Sequence, residues 1–280
     1  MKKLFLVLAV SFLFSPVALS QEAVQQQFEG FNLNGYKDGG EKAWDINGDT
    51  ADIADGIIKI KNVSANAYGD DQDMNVKAKN GTINQSTGSV VLEEDVVITS
   101  ERGTQLTTDT LNWEREKDLV ETKDKVYIQD DNMYVTGTGM RAQPSLKTAS
   151  LEEDVTAKVE TMPQEGENKQ SVTITCDGPM ELDQARQVAI FNENVLVIEV
   201  ATGRELQADK IEVFFDQSSK SIQKMVAIGN VTVTQGQNKT FAEQLVYDAH
   251  TQKMTLLGKP KLVFDIGESD SNNLFGGMGN

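Results

Sequence analysis

The residue types that carry out covalent or metal chemistry are few in this chain, and their spacing assembles no reactive set. His250 is the sole histidine; it falls in the turn-forming stretch Asp248-Ala249-His250-Thr251. No serine stands in a nucleophile-elbow sequence for it to activate, so neither a hydrolytic triad nor a His-based metal centre has support. Asp45, Asn47 and Asp49 have the opening spacing of a calcium loop. Thr50 stands where that loop needs glycine, and Gly56 where it needs a bidentate glutamate. Asp70, Asp71 and Asp73 read as a solvated turn. Gly137-Thr138-Gly139-Met140-Arg141-Ala142 spells a dinucleotide fingerprint after an apparent strand at residues 133–135, but Gln143-Pro144-Ser145 interrupts the helix that the fingerprint needs. The 43 acidic side chains include no pair framed by the aromatic clustering of a glycosidase cleft. Cys176 is the one cysteine and lies in the alternating run Val172-Thr173-Ile174-Thr175-Cys176. It reads as a small apolar strand residue, and it cannot form an internal disulfide. No catalytic residue, cofactor or metal site is expected.

With chemistry this thin, the recurring positions carry the information. The five letters Leu92-Glu93-Glu94-Asp95-Val96 return as Leu151-Glu152-Glu153-Asp154-Val155, and looser echoes stand at Lys125-Val126, Asn194-Val195 and Asn230-Val231. Aligned on the valine, the chain is an imperfect internal repeat. A second phrase, a small residue, a polar one and an alternating run, appears at Thr107-Thr108-Asp109-Thr110-Leu111-Asn112-Trp113, Ala208-Asp209-Lys210-Ile211-Glu212-Val213 and Ala242-Glu243-Gln244-Leu245-Val246-Tyr247-Asp248. From Phe28 onward the rhythm is two, the strand period. Val96 and Ile98 oppose Val97 and Thr99; Val231 and Val233 oppose Thr232 and Thr234. No long window shows a helical stripe. Turn signals come often, at Asn80-Gly81, Thr87-Gly88, Arg102-Gly103, Thr202-Gly203, Gly229-Asn230 and Gln235-Gly236.

These elements predict an all-β protein, an elongated, curved sheet of stacked short antiparallel strands of about five to eight residues. No single unit can bury its apolar face alone, but stacked units can. The repeated acidic phrase reads as the start of a strand, with its acids solvated in a turn and its valine beginning a buried row. The polar stretch Pro163-Gln164-Glu165-Gly166-Glu167-Asn168-Lys169-Gln170 reads as a longer surface loop. The candidate inward residues are Val96, Ile98, Leu111, Trp113, Val126, Ile128, Val195, Val197, Ile211, Val213, Val231, Val233 and Leu245. Alternation makes neighbours face opposite ways without saying which parity is inside. Such a row can form an ordinary closed core, or it can leave a groove between two incompletely closed sheets able to take acyl chains.

Composition bounds the partners. The chain has 280 residues and sets 26 basic against 43 acidic side chains, a formal charge of −17, which repels a nucleic-acid backbone. Lys2 and Lys3 precede an apolar run at residues 4–14, and Ala18-Leu19-Ser20 offers small residues before Gln21. This is the pattern of an export signal cleaved after Ser20, with an uncleaved inner-membrane anchor as the alternative. The run is shorter than the roughly 20 residues of a comfortable membrane span. Residues 267–280, rich in Gly, Ser and Asn, read as a disordered tail.

Two stretches carry a family likeness. Phe31-Asn32-Leu33-Asn34-Gly35-Tyr36-Lys37-Asp38-Gly39-Gly40, then Trp44-Asp45-Ile46-Asn47-Gly48-Asp49 and Ala51, resemble the opening of LptC, a periplasmic component of lipopolysaccharide export. Ile58-Lys59-Ile60-Lys61-Asn62-Val63 and Leu106-Thr107-Thr108-Asp109-Thr110-Leu111-Asn112-Trp113 continue that likeness. Residues 28–145 are thus similar to an LptC-like domain, and residues 146–266 to an LptA/OstA-like domain. The resemblance implies an elongated β-jellyroll or folded-ribbon (OstA-like) architecture, in a non-enzymatic periplasmic bridge component that binds lipopolysaccharide. In it, lipid A would travel along an apolar groove from an inner-membrane export transporter towards the outer membrane. It also implies edge-to-edge sheet joining with other Lpt-type β-jellyroll proteins, or with copies of the same chain. The chain departs from the family by fusing two modules and by its cleavable-looking signal. The rival expectation is an exported structural β-solenoid or adhesin-like module with a dry core and a surface that contacts only proteins.

Overall fold

The computed structural model describes residues 26–37, 39–69, 72–161, 170–216 and 221–264. The expected signal, Asp70 and Asp71, nearly all of the expected loop at 163–170 and the tail at 267–280 lie outside those residues. The described chain is a succession of strands, β1 (Gln26–Tyr36), β2 (Lys42–Ala54), β3 (Ile57–Tyr68), β4 (Asp73–Asn84), β5 (Ser89–Ser100), β6 (Gln105–Glu114), β7 (Leu119–Asp130), β8 (Met133–Gln143) and β9 (Thr148–Thr161). It continues with β10 (Gln170–Cys176), β11 (Met180–Asp183), β12 (Val188–Glu199), β13 (Arg204–Phe215), β14 (Ile222–Gln235), β15 (Asn238–Asp248), β16 (Lys253–Leu257) and β17 (Lys261–Val263). The only other regular elements among the described residues are two single 3-10 turns, Arg115–Lys117 and Pro144–Leu146. The second follows the Gly137–Gly139 strand, where a nucleotide site would need a helix.

All strands belong to one antiparallel sheet. Each long strand pairs with the next in sequence, and β10 and β11 lie end to end in one level between β9 and β12. The strands are longer than the sequence suggests: the long ones run from 10 residues in β6 to 14 in β9. The expected strand length was short because residues read as turns lie in the middle of strands. Leu92-Glu93-Glu94-Asp95-Val96 is the centre of β5, not its start. There Glu94 and Asp95 stand opposite the single residue Asp109 of β6, since Glu93 faces Thr110 and Val96 faces Thr108. The same two-against-one count sets Lys123 and Asp124 against Gly139, Glu193 and Asn194 against Asp209, and Gly229 and Asn230 against Glu243. Asn80-Gly81 likewise lies inside β4, while Thr87-Gly88, Arg102-Gly103, Thr202-Gly203 and Gln235-Gly236 are true reversals between strands.

A bulge of this kind bends its strand and tightens the local twist. Except in β7, where Lys123 and Asp124 keep negative φ, the extra residue adopts left-handed backbone: φ is 63° at Glu94, 54° at Asp95, 52° at Asp154, 50° at Asn194 and 47° at Asn230. Short polar side chains and glycine tolerate that region best, which is why the repeated phrase is acidic. Aligned strand after strand, the bulges crease the sheet lengthwise. On the inner side of the crease the backbones crowd. A Cβ at Gly48 would stand 2.2 Å from Ile60 Cγ2, and one at Gly81 would stand 2.8 Å from Val63 Cγ2.

The residues flanking the crease show that the sheet folds onto itself. Val96, Val126, Ile211 and Leu245 are 0% exposed, yet among the described residues there is no second layer to cover a sheet face. The cover is therefore the other half of the same sheet. One folded sheet, and not a pair of separate sheets, encloses the apolar rows.

Candidate functional site

Which side chains face inward follows from register, because residues directly opposite in an antiparallel ladder project to the same side. Beyond the crease on one wing, Val96 faces Thr108, Ile98 faces Leu106, Leu106 faces Ile128 and Ile128 faces Val135. The row continues through Val135 and Ala157, Ala157 and Ile174, Ile174 and Val197, Val197 and Leu206, and Leu206 and Val233. On the other wing Leu92 faces Leu111 and Val90 faces Trp113, which faces Val120. Farther along, Ala189 faces Val213, which faces Met225, and Phe191 faces Ile211, which faces Ala227 and then Leu245. Val126 faces Gly137, Val195 faces Ala208 and Val231 faces Ala242. All thirteen candidate inward residues therefore share one face of the sheet, divided between its two wings. Sequence reasoning passed over Ile46, Val76, Val90, Val120, Met180, Met225 and Tyr247, which pack against the same core. Their signal was the same alternation, without a valine marker beside it.

Burial divides this face into depths. Along the crease Val96, Val126, Val155, Val195, Ile211, Val231 and Leu245 are at most 1% exposed, so the bottom of the trough is filled by the chain itself. Farther out on the wings Ile98, Ile128, Val233 and Tyr247 are only half-buried, and Trp113 is 36% exposed. Between β8 and β13 the trough is more tightly closed, with Val135, Ala157, Ile174, Val197, Leu206, Ala189 and Val213 all buried. The inner face is thus an apolar trough, dry at its base and accessible along its lips.

Polar groups on the inner face sit near the lips. Arg204 Nη1 lies 3.7 Å from Glu199 Oε2, and the Thr202 hydroxyl donates to the same oxygen at 2.7 Å. The Arg115 guanidinium lies 5.7 Å from the centre of the Trp113 ring. The outer side of the crease is acidic, with Glu94, Asp95, Asp109, Asp154 and Glu193 exposed. Two of them share Lys79, whose Nζ lies 2.7 Å from Asp95 and 3.9 Å from Glu94. A concavity of about 520 Å³ is lined by Arg141, Ser150, Glu181 and Asp183 among others and mixes both charges. Cys176 is buried at the end of β10, where desolvation pushes its thiol up to about 11; such a group is no nucleophile. Among the described residues no group of histidine, cysteine and carboxylate side chains could hold a metal ion, and no helix is long and apolar enough to cross a membrane.

The arrangement offers apolar surface to a long, flexible hydrophobic molecule. Comparisons with known proteins agree in direction. The family model for LptC-related lipopolysaccharide-assembly proteins matches residues 5–160. The model for the LptA/(LptD N-terminal domain) LPS transport protein matches residues 173–278. No curated protein matches the chain. The first matched segment ends in β9 and the second begins in β10, and these two strands pair from Val155 opposite Cys176 to Thr161 opposite Gln170. The junction between the two likenesses therefore falls inside an unbroken ladder.

Proposed function

We propose, from the premise that this chain belongs to the LptC-related family of lipopolysaccharide-assembly proteins, that its inner face carries the acyl chains of lipid A. One observation carries this reading: a single apolar face runs through both family segments and grows more accessible from crease to lip. Acyl chains lie against the half-buried outer rows, Ile98, Ile128, Val233 and Trp113 among them. The fully buried residues at the crease, including Val96, Leu111, Val126, Val195, Ile211, Val231 and Leu245, form the floor, and Val197 and Val213 the more closed middle. Burial of a methylene contributes roughly 0.8 kcal/mol, so about ten of them account for micromolar holding. The sugars and phosphates stay at the solvent.

The Lpt families are transport and binding families, and in this reading the chain performs no bond chemistry. It acts in the periplasm, between an inner-membrane export transporter and the outer membrane. It joins other Lpt-type jellyrolls, or its own copies, through its sheet edges. The dry-core solenoid describes the crease well but leaves the accessible outer rows without a purpose.

The test is photocrosslinking of the exported chain in cells that make lipopolysaccharide, with the reactive residue placed at Ile98, Ile128 or Val233, or at the outward-facing controls Val97 and Tyr127. The expected outcome is adducts from the inner positions and none from the controls. Equal labelling of both faces, or none from the inner one, would remove the carrier role.

A further inference from the structure

The lip of the trough at the hairpin between β6 and β7 carries an exposed aromatic ring with a cation over it. Trp113 is inward-facing, because its ladder partners Val90 and Val120 both pack against the core. It is nevertheless 36% exposed, so a large aromatic surface meets water where the apolar face ends. Over its ring stands the guanidinium of Arg115, at 5.7 Å from the centroid. Arg115 begins the single 3-10 turn that closes the hairpin. Its stem lies beside the reversal at Gly88 that leads into β5. The cation stands over the ring and not beside an acid.

Several other cations of this chain of charge −17 are held by acids. The neighbouring Lys117 pairs with Glu114, Arg141 lies 4.0 Å from Glu121, Arg186 lies 4.0 Å from Asp183, and Arg204 is held by Glu199. Among the described residues Arg115 has no carboxylate partner. A guanidinium keeps its donors in a fork that matches a phosphate, and it remains weakly hydrated when stacked on an aromatic ring. The anion that fits must be attached to something greasy, because the ring beside the cation opens directly onto the apolar trough.

We infer that Trp113 and Arg115 form a headgroup subsite for a phosphorylated lipid, in which the guanidinium takes a phosphate while an acyl chain enters the trough past the indole. This rests on the carrier reading above and adds where along the lip the anionic end is held, and by which side chain. The acidic outer crease supports the same polarity, because it repels phosphate from the back of the sheet.

The experiment compares the full chain with Arg115→Gln and Arg115→Lys, by equilibrium binding of bisphosphorylated lipid A, of the same lipid after enzymatic removal of its phosphates, and of inorganic phosphate alone. Arg115 is exposed at a hairpin tip, so the variants should keep the wild-type melting curve. Arg115→Gln is expected to bind the phosphorylated lipid about tenfold more weakly and the dephosphorylated lipid equally well, with Arg115→Lys recovering part of the loss. Inorganic phosphate should not compete at millimolar concentration. Equal affinity of wild type and Arg115→Gln for the phosphorylated lipid would overturn the subsite while leaving the carrier role standing. So would saturation of the site by phosphate alone. Failure of the wild-type chain to hold either lipid would sink both.

Discussion

Asp45 shows how one side chain can be misjudged from its spacing. With Asn47 and Asp49 it mimics the first letters of a calcium loop, but Asp45 and Asn47 lie two apart on strand β2 and project to one face, so they cannot wrap an ion. Asp45 is 6% exposed. Four donors converge on it: Tyr68 Oη at 2.8 Å, Asn66 Nδ2 at 3.0 Å, Asn47 Nδ2 at 3.3 Å and Lys42 Nζ at 3.4 Å. The Tyr68 hydroxyl above all, with help from Asn66 and Lys42 and against the cost of burial, holds the carboxyl below its usual range. The network continues as Asn75 donates to Asn66 at 2.9 Å and Asn32 to Asn47 at 2.6 Å, which ties β1 to β4 across the outer face. Asp45→Ala strips the shared acceptor from the half-buried donors Tyr68 and Asn66 and should destabilise the fold by about 1 kcal/mol. A lower urea midpoint at unchanged slope would show it, with lipid capture intact because the site is on the outer face. The pH dependence follows from the sign of the shift. A depressed folded-state pKa stabilises the protein above the unfolded value of about 3.9, and that stabilisation disappears as pH falls through the folded value. The variant should therefore lose less stability on acidification than the wild type. Identical acid limbs would show that the carboxylate contributes nothing.

Among the strands, the bulged corner is the repeating device, and Asn230 in β14 is an accessible place to examine it. Its φ is 47°, and its Nδ2 lies 3.1 Å and 2.9 Å from the two carboxylate oxygens of Asp209 in β13. Asn230→Val forces a β-branched residue into left-handed backbone at a cost of about 1–2 kcal/mol and also loses the cross-strand bond. Asn230→Gly loses only the bond. Faster amide exchange confined to β13, β14 and β15 is the expected result for valine, with glycine near wild type. If valine left exchange unchanged, the corner would not depend on its left-handed residue. The alternation within these strands was legible in the sequence, and so were the hairpin reversals at Thr202-Gly203 and Gln235-Gly236. Their length was not, because a reversal and a mid-strand bend draw on the same residue types, glycine, asparagine and aspartate at positive φ. Only the pairing partner distinguishes them. Gln235 and Asn238 face each other across a reversal, whereas Gly229 and Asn230 face β15 across a bulge.

The assembled sheet has two ends. Among the described residues β1 is laddered only to β2, and β16 and β17 only to β15. An unpaired edge is a template for another strand, and the last one carries Leu262, Val263 and Phe264 at 53%, 42% and 62% exposure. If copies or relatives join there, Val263→Asp combined with Phe264→Asp should abolish concentration-dependent assembly in sedimentation. The monomer's stability should stay within about 0.5 kcal/mol, as for other surface changes. Assembly that persists in the double variant would place the junction elsewhere. Because the inner rows run without interruption from β1 to β15, a joined neighbour in the same register would lengthen the trough instead of starting a new one.

The period of two along the chain and its turn residues were enough to establish an all-β ribbon of stacked strands, because alternation and turn chemistry are properties of adjacent residues. They also assembled Val96, Ile98, Leu111 and their companions into one set. They could not say that this set points inward, that the acids bend strands without ending them, or that the floor of the trough is dry while its lips are open. Each of those depends on what lies across the fold. A side chain such as Ile211 is buried by a wing that its own neighbours in sequence do not specify, and Trp113 is exposed because the opposite wing does not cover it.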